Sequence, residues 1–189
     1  NKFRLHFYQG GIGLPDRDYY FDKDERTVTI RNEYVKHISK MFQLTGIDAA
    51  TADTYAQTIM KMETDFAGAS RKLADLRDPY ANYNSMAVAD VNKLCPAINW
   101  ESFLADAGIK NIDTIIVGQP EFFKQLNTSL TKESVDNWKI YLQWNLINAY
   151  ADRLSSDFDK EHFHFYGTIL NGTKEQRARW KRVLDAEED

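Results

Sequence analysis

The side chains best suited to metal or acid–base chemistry are the histidines His6, His37, His162 and His164. A zinc peptidase of the H-E-x-x-H type needs two histidines one helical turn apart, with the intervening glutamate activating water. None of the four meets that spacing. His162 and His164 converge on a metal only along extended backbone, because a two-residue step in a helix turns them about 200° apart. No cysteine pair or carboxylate pattern completes a ligand set beside them, so they read as ordinary surface or interface histidines. Gly11 and Gly13 spell G-x-G, but a dinucleotide fingerprint requires a third glycine where Asp16 stands. Asp22, Asp24 and Glu25 are calcium-type oxygen donors. An EF-hand loop starting there fits only at Glu33 and has Thr27 in place of its glycine, so a solvated acidic first turn of a helix is the better reading.

Three further features are weighed and set aside. Glu63 lies at the edge of an apolar stripe, where a general base is one reading and an ion pair with Arg71 or Arg77 the favoured one. Cys95 precedes Pro96 without a nucleophile motif and reads as a passive, partly buried thiol. The sequons Asn127-Thr128-Ser129 and Asn171-Gly172-Thr173 matter only in a eukaryotic secretory host. A new enzyme built from Glu63, His162 and His164 lacks the convergence such a site requires. The residues therefore assign no catalytic, cofactor-binding or metal site to this chain.

The elements that would position these groups are mainly helical. Phe3, Leu5 and Phe7 alternate with polar residues as in a half-buried strand, whose partner is either distant or upstream of Asn1. The Gly10–Pro15 segment breaks it. Ile30, Tyr34, Ile38 and Met41 form a helical stripe ending at Gly46, and Asp48 caps a second stripe of Ala52, Tyr55, Ile59, Met62 and Phe66, so the two helices form a hairpin. Leu76–Asn84 reads as an irregular link, followed by a short helix at Val88–Leu94. Asn99 caps Trp100–Ala107, Thr114–Val117 is a short strand, and Pro120 opens a helix through Leu130. The next helix covers Ser134–Phe158, with Trp138, Ile140, Tyr141, Leu142, Trp144, Leu146, Ile147 and Tyr150 on nearly all sides, which predicts a central helix surrounded by others. Thr173 and Gln176 suggest a capping box for a last helix through Trp180 and Leu184. Asp185–Asp189 puts acidic residues at its unfavourable end and reads as a frayed or cut boundary.

The 189 residues balance 24 Lys and Arg against 28 Asp and Glu for a net charge of −4, and 43% are hydrophobic. That composition excludes a disordered or fibrous chain and gives no basic surplus for nucleic acid. The longest strongly apolar run, Ile115–Val117, falls far short of the ~20 residues that span a bilayer. One cysteine excludes an internal disulfide. The fold expected is mainly α: one multi-helix domain with short strands near the N-terminus and around 114–117.

Several words of the sequence occur together in a known family. Gly10-Gly11-Ile12-Gly13-Leu14-Pro15-Asp16-Arg17-Asp18-Tyr19-Tyr20 resembles the GLGLPxRDYY signature of the neprilysin and endothelin-converting-enzyme family of zinc metallopeptidases. Leu76-Arg77-Asp78-Pro79 with Tyr83-Asn84-Ser85-Met86 resembles its R-x-DP…YNKM stretch. Trp138 with Tyr141-Leu142-Gln143-Trp144 resembles its YL-x-W helix, and Leu170-Asn171-Gly172-Thr173 with Arg179-Trp180-Lys181-Arg182 its L-x-G-T…RW-x-R segment. The resemblance covers the whole chain.

The resemblance implies a two-lobed parent: a catalytic lobe carrying H-E-x-x-H and E-x-x-x-D, and a helical lobe closing over a central cavity. This chain, residues 1–189, is similar to the helical, noncatalytic lobe and carries neither zinc motif. Asn148-Ala149-Tyr150 is similar to the substrate-binding N-A-F/Y tripeptide, but that tripeptide belongs to the catalytic lobe and its role is not transferred. The expectations are a lobe that limits access to small peptides, with zinc in the parent's catalytic domain and none in this chain. Its partners are the parent catalytic lobe and the parent's peptide substrates, with no nucleic acid and no membrane contact by this segment. The parent is expected to be exported, and the low cysteine content leans towards a bacterial-type homologue. In the family the residues before the GLGLP word form one arm of a hairpin, so the chain is expected to begin after the other arm, as an excised piece. The rival expectation is a standalone helical module that binds peptides or proteins.

Overall fold

The structure is a computed structural model that describes residues 4–187. Phe3, the first residue of the expected strand, and the acidic end at Glu188 and Asp189 lie outside the described residues, as do the side chains of Val183 and Asp185–Glu187. The described residues are mainly α, with α1 (Asp18–Phe21), α2 (Glu25–Leu44), α3 (Ala49–Ala69), α4 (Val88–Leu94), α5 (Trp100–Asp106), α6 (Pro120–Lys132), α7 (Val135–Tyr150), α8 (Ser156–His162) and α9 (Arg179–Glu187). Their three strands, β1 (Leu5–Phe7), β2 (Asn84–Ala87) and β3 (Thr114–Val117), form one sheet in the order β1-β3-β2. Contacts divide the chain into two compact units, residues 1–23 with 58–139 and residues 24–57 with 140–189.

In the first unit β1 finds its partner far along the sequence. It pairs in parallel with β3, Leu5 opposite Ile115 and Phe7 opposite Val117, while β2 pairs antiparallel on the other side of β3. The central strand carries Ile115, Ile116 and Val117, all buried, as a strand covered on both faces requires. Strand β2 falls at the end of the stretch that reads as an irregular link. Asn84-Ser85-Met86-Ala87 carries no β-branched residue, so only its ladder with β3 identifies it. Phe7, Trp100 and Phe123 pack together, at ring separations of 5.1 and 5.9 Å from Phe7, and Trp100 Nε1 donates to the Cys95 carbonyl. Cys95 is fully buried, beyond the partial burial expected.

The local signals for helix ends act as expected where a polar side chain can reach a free amide. Asp48 accepts from Thr51 N at 3.0 Å, Asn99 accepts from Ser102 N at 3.0 Å, and Pro120 opens α6. Gly46 has φ +95°, the left-handed turn that ends α2 without a Cβ penalty.

In the second unit, α2 buries Ile30, Tyr34, Ile38 and Met41, the predicted stripe. The Phe42 ring meets Tyr55 edge-on at 5.2 Å, and Ser39 Oγ donates to Asp53 at 2.6 Å, so α2 packs on the first turns of α3 as a hairpin. Helix α7 differs from expectation in two ways. It ends at Tyr150 rather than Phe158, giving way to a 3₁₀ turn at Ala151–Arg153 and to α8, which starts after Ser155 in an extended conformation. Within α7 only Tyr141 and Trp144 are buried, and Leu142 and Leu146 stand in solvent at 60% and 61% exposure. The helix thus carries apolar residues on nearly all sides, with Gln143, Asn145 and Asn148 among them, yet it is packed on one side. The last helix begins at Arg179, and Gln176 donates to Asp159 rather than closing a capping box.

Residues Phe163–Leu170 form a π-helix, which sequence periodicity did not reveal. Gly167 leaves room for the Phe163 ring, which would have to shift if that position carried a Cβ. π-Helical turns concentrate at functional positions and rearrange helix faces. Here the turn places Phe165 in the core, fully buried, and sets Tyr166 edge-on to His37.

Candidate functional site

The residues of the first signature word converge on α3. Glu63, 1% exposed, accepts at Oε2 from the Tyr20 hydroxyl at 2.6 Å and from Gly13 N at 3.2 Å. The Tyr20 oxygen in turn accepts from Leu14 N at 3.1 Å. One carboxylate and one phenol therefore hold two consecutive amides of the glycine-rich loop, in a buried network whose bonds polarise one another. Burial, together with the adjacent Glu63, raises the pKa of the Tyr20 hydroxyl and keeps it a proton donor. Arg17 adds a clasp, donating to the Ala67 carbonyl at 3.2 Å and lying over the Phe21 ring at 5.3 Å.

The same unit carries a second network. Gln9 bonds the Arg71 backbone in both directions, accepting from its N–H at 2.7 Å and donating to its carbonyl at 3.1 Å. Gln119, 1% exposed, accepts from Gln9 N at 2.8 Å and donates to Asn82 at 2.6 Å. The Arg71 guanidinium pairs with Glu121 and donates to the Ala81 carbonyl at 2.8 Å. Arg71 is thus engaged by Glu121 and does not serve as the ion-pair partner expected for Glu63. Asp78, from the second word, accepts from Tyr80 N and Ala81 N and fixes the turn that leads into β2. Beside these groups a cavity of about 430 Å³ is lined by His6, Tyr8, Gln9, Asn82, Tyr83 and Gln119 among others. Its polar lining is an imidazole with phenols and amides, groups that can hydrogen-bond a ligand.

In the second unit His37, 2% exposed, bonds Glu161 Oε1 through Nδ1 at 2.9 Å. A carboxylate can only accept, so Nδ1 carries the proton. The other nitrogen, Nε2, is buried without a partner. Protonating it would place a bare N–H in an apolar nest of Trp144, Phe165 and Tyr166. Burial accordingly lowers the His37 pKa, opposed by Glu161 and reinforced by His164. The His162 pKa is lowered as well, first by burial and then by His37. Both histidines bind fewer protons folded than unfolded, so their contribution is complete above the ordinary histidine range near 6.5 and is lost as pH falls through it. Stability should drop between pH 7.5 and 5.5, with a slope of up to about 1.4 kcal/mol per pH unit for each proton taken up. Urea denaturation at several pH values should show a flatter profile for His37→Asn, with the remaining slope carried by His162.

The final word also has a structural partner. Arg182 grips Asp159, 6% exposed, through two bonds of 2.8 and 2.7 Å. That guanidinium, more than any other group, holds the Asp159 pKa below the ordinary carboxylate value.

His162 closes α8 and His164 lies in the π-helix, so the backbone between them is helical and their imidazoles diverge. His6 stacks on Tyr8 in the other unit. Among the described residues no group of three or more His, Cys, Asp or Glu lies together. Asn127 accepts from Ala97 N and Asn171 donates to the Tyr166 carbonyl, so both sequon asparagines serve the fold. The Tyr20–Glu63 and His37–Glu161 pairs escaped sequence reading because their partners are 43 and 124 residues apart.

Comparison with known proteins places these networks in context. The N-terminal-domain model of Peptidase family M13 matches residues 1–189. The chain belongs to peptidase family M13. Endothelin-converting enzyme 1 of Cavia porcellus is 28% identical over 186 residues, which is 96% of this chain and 24% of that protein. Neprilysin of Mus musculus is 27% identical over 200 residues, 96% of this chain and 26% of that protein. The Mycobacterium tuberculosis zinc metalloprotease Zmp1 in its open state superposes with a TM-score of 0.90 at 32% identity, covering 97% of this chain and 28% of that one. The chain thus spans about a quarter of the length of the relatives it matches. The words Gly10–Tyr20, Leu76–Pro79 with Tyr83–Met86, and Arg179–Arg182 supply anchoring contacts, through Tyr20, Asp78 and Arg182 respectively. Among the described residues no helix is long and apolar enough to cross a membrane.

Proposed function

We propose that this chain is the noncatalytic helical lobe of a neprilysin-like zinc metalloendopeptidase, enclosing the substrate cavity and limiting entry to small peptides. The observation that carries the proposal is the pairing of a full-length family match with relatives about four times longer. Zinc belongs to the parent's catalytic lobe, which is this chain's first partner, and short peptides are the substrates the two lobes enclose between them. An exported parent, periplasmic, membrane-tethered or extracellular, is part of the same proposal. The chain's own chemistry supports a passive role: its buried carboxylates Glu63 and Asp159 hold a loop amide, a phenol and a guanidinium.

Metal analysis tests the assignment. After a chelator wash and dialysis against buffered zinc, the chain of 189 residues should retain no stoichiometric metal. The polypeptide of the complete reading frame should retain one zinc, on an H-E-x-x-H helix beyond Asp189. One tight zinc per 189-residue chain, or a reading frame without that motif, overturns the proposal.

A further inference from the structure

The stretch Ile140–Tyr150 contains no Asp, Glu, Lys or Arg. It forms most of α7, and only Tyr141 and Trp144 are buried. Leu142, Leu146 and Tyr150 are 60%, 61% and 49% exposed. Successive steps of four residues advance about 40° beyond a full turn, so these three side chains stand in one row. A single exposed leucine needs no explanation. A water-facing helix, however, carries charges on its outer face, whereas the outer face here offers only Gln143 and Asn145 beside the leucines.

We propose that the Leu142–Leu146–Tyr150 row is a packing face, covered in the whole protein by a helical segment of the same polypeptide outside these 189 residues. The inference rests on the lobe reading. The amount of chain required is present in the relatives, where about three quarters of the length lies outside the matched part. The covering segment must itself offer an apolar, uncharged stripe, since a charge set against these leucines would be desolvated without a partner. A second copy of the chain fits less well. A row of three side chains falls far below the ~800 Å² per partner that a stable dimer buries.

Thiol labelling tests the face directly. Leu146→Cys is made in the 189-residue chain and in the polypeptide of the complete reading frame; Cys95, 0% exposed, contributes little background. Maleimide should modify the introduced thiol at least tenfold more slowly in the complete polypeptide. Equal rates overturn the proposal, and so does protection in the short chain that grows with protein concentration, which would mark a second copy as the occupant. Leu142→Cys gives an independent reading should the first variant fold poorly. Peptide hydrolysis by the complete polypeptide separates the two ideas. Cleavage with equal labelling removes only this inference, slowed labelling without cleavage removes only the peptidase assignment, and a reading frame that stops at Asp189 removes both.

Discussion

Glu63→Ala is expected to lower the unfolding free energy by about 3 kcal/mol, because two buried donors lose a charge-accepting partner at once. The side chain is 1% exposed, and its Oε2 receives both Tyr20 Oη and Gly13 N. Tyr20→Phe removes only the phenol link and should cost about 1–2 kcal/mol. That variant also strands Leu14 N, whose acceptor is the same phenol oxygen. The double variant should be less destabilised than the sum of the singles, with a coupling of about 1 kcal/mol or more for groups in one network. Chemical denaturation of the four proteins measures the cycle. Strict additivity would show that the loop is held by something other than this network.

Trp144→Ala carries the other large effect. Trp144 is the largest of the fully buried side chains and meets Tyr34 edge-on at 6.0 Å and His37 at 5.7 Å. Removing a buried indole leaves a cavity that these flat rings fill poorly, so the loss should be about 3–5 kcal/mol. Trp144→Phe keeps part of the ring contact and should lose less than half as much. Loss of His37 shielding adds a signature: water admitted beside Nε2 lowers the penalty for charging the imidazole, so the fall in stability below pH 6.5 should flatten in Trp144→Ala. Denaturation at pH 7.5 and 5.5 reads both quantities.

What the sequence makes legible here is whatever local chemistry decides. The stripes of α2 and α3, the caps at Asp48 and Asn99 and the proline opening α6 all follow from spacing within a turn or two, and each stands where expected. The family words were equally legible, and the family follows from them. What escaped was set by tertiary partners. Strand β2 exists because Asn84–Ala87 meets β3, and Asn-Ser-Met-Ala has no period that announces it. Within the π-helix the Phe163 ring lies against Gly167, a contact that no hydrophobic pattern encodes. Glu63 was singled out as a buried-edge carboxylate, but the phenol and the loop amide that it accepts from lie 43 and 50 residues away and were not legible. The expectation for α7 erred in an instructive direction: apolar residues on nearly all sides predict burial, and the described residues cover one side only.

The central claim is that this chain shapes access to a catalytic centre it does not contain. Its most direct test is peptidase activity against two substrates of one sequence, a short free peptide and the same segment inside a folded protein. The account predicts that the complete polypeptide cleaves the free peptide and spares the folded one, and that the 189-residue chain cleaves neither. Cleavage by the 189-residue chain alone, or equal cleavage of both substrates by the complete polypeptide, would contradict it.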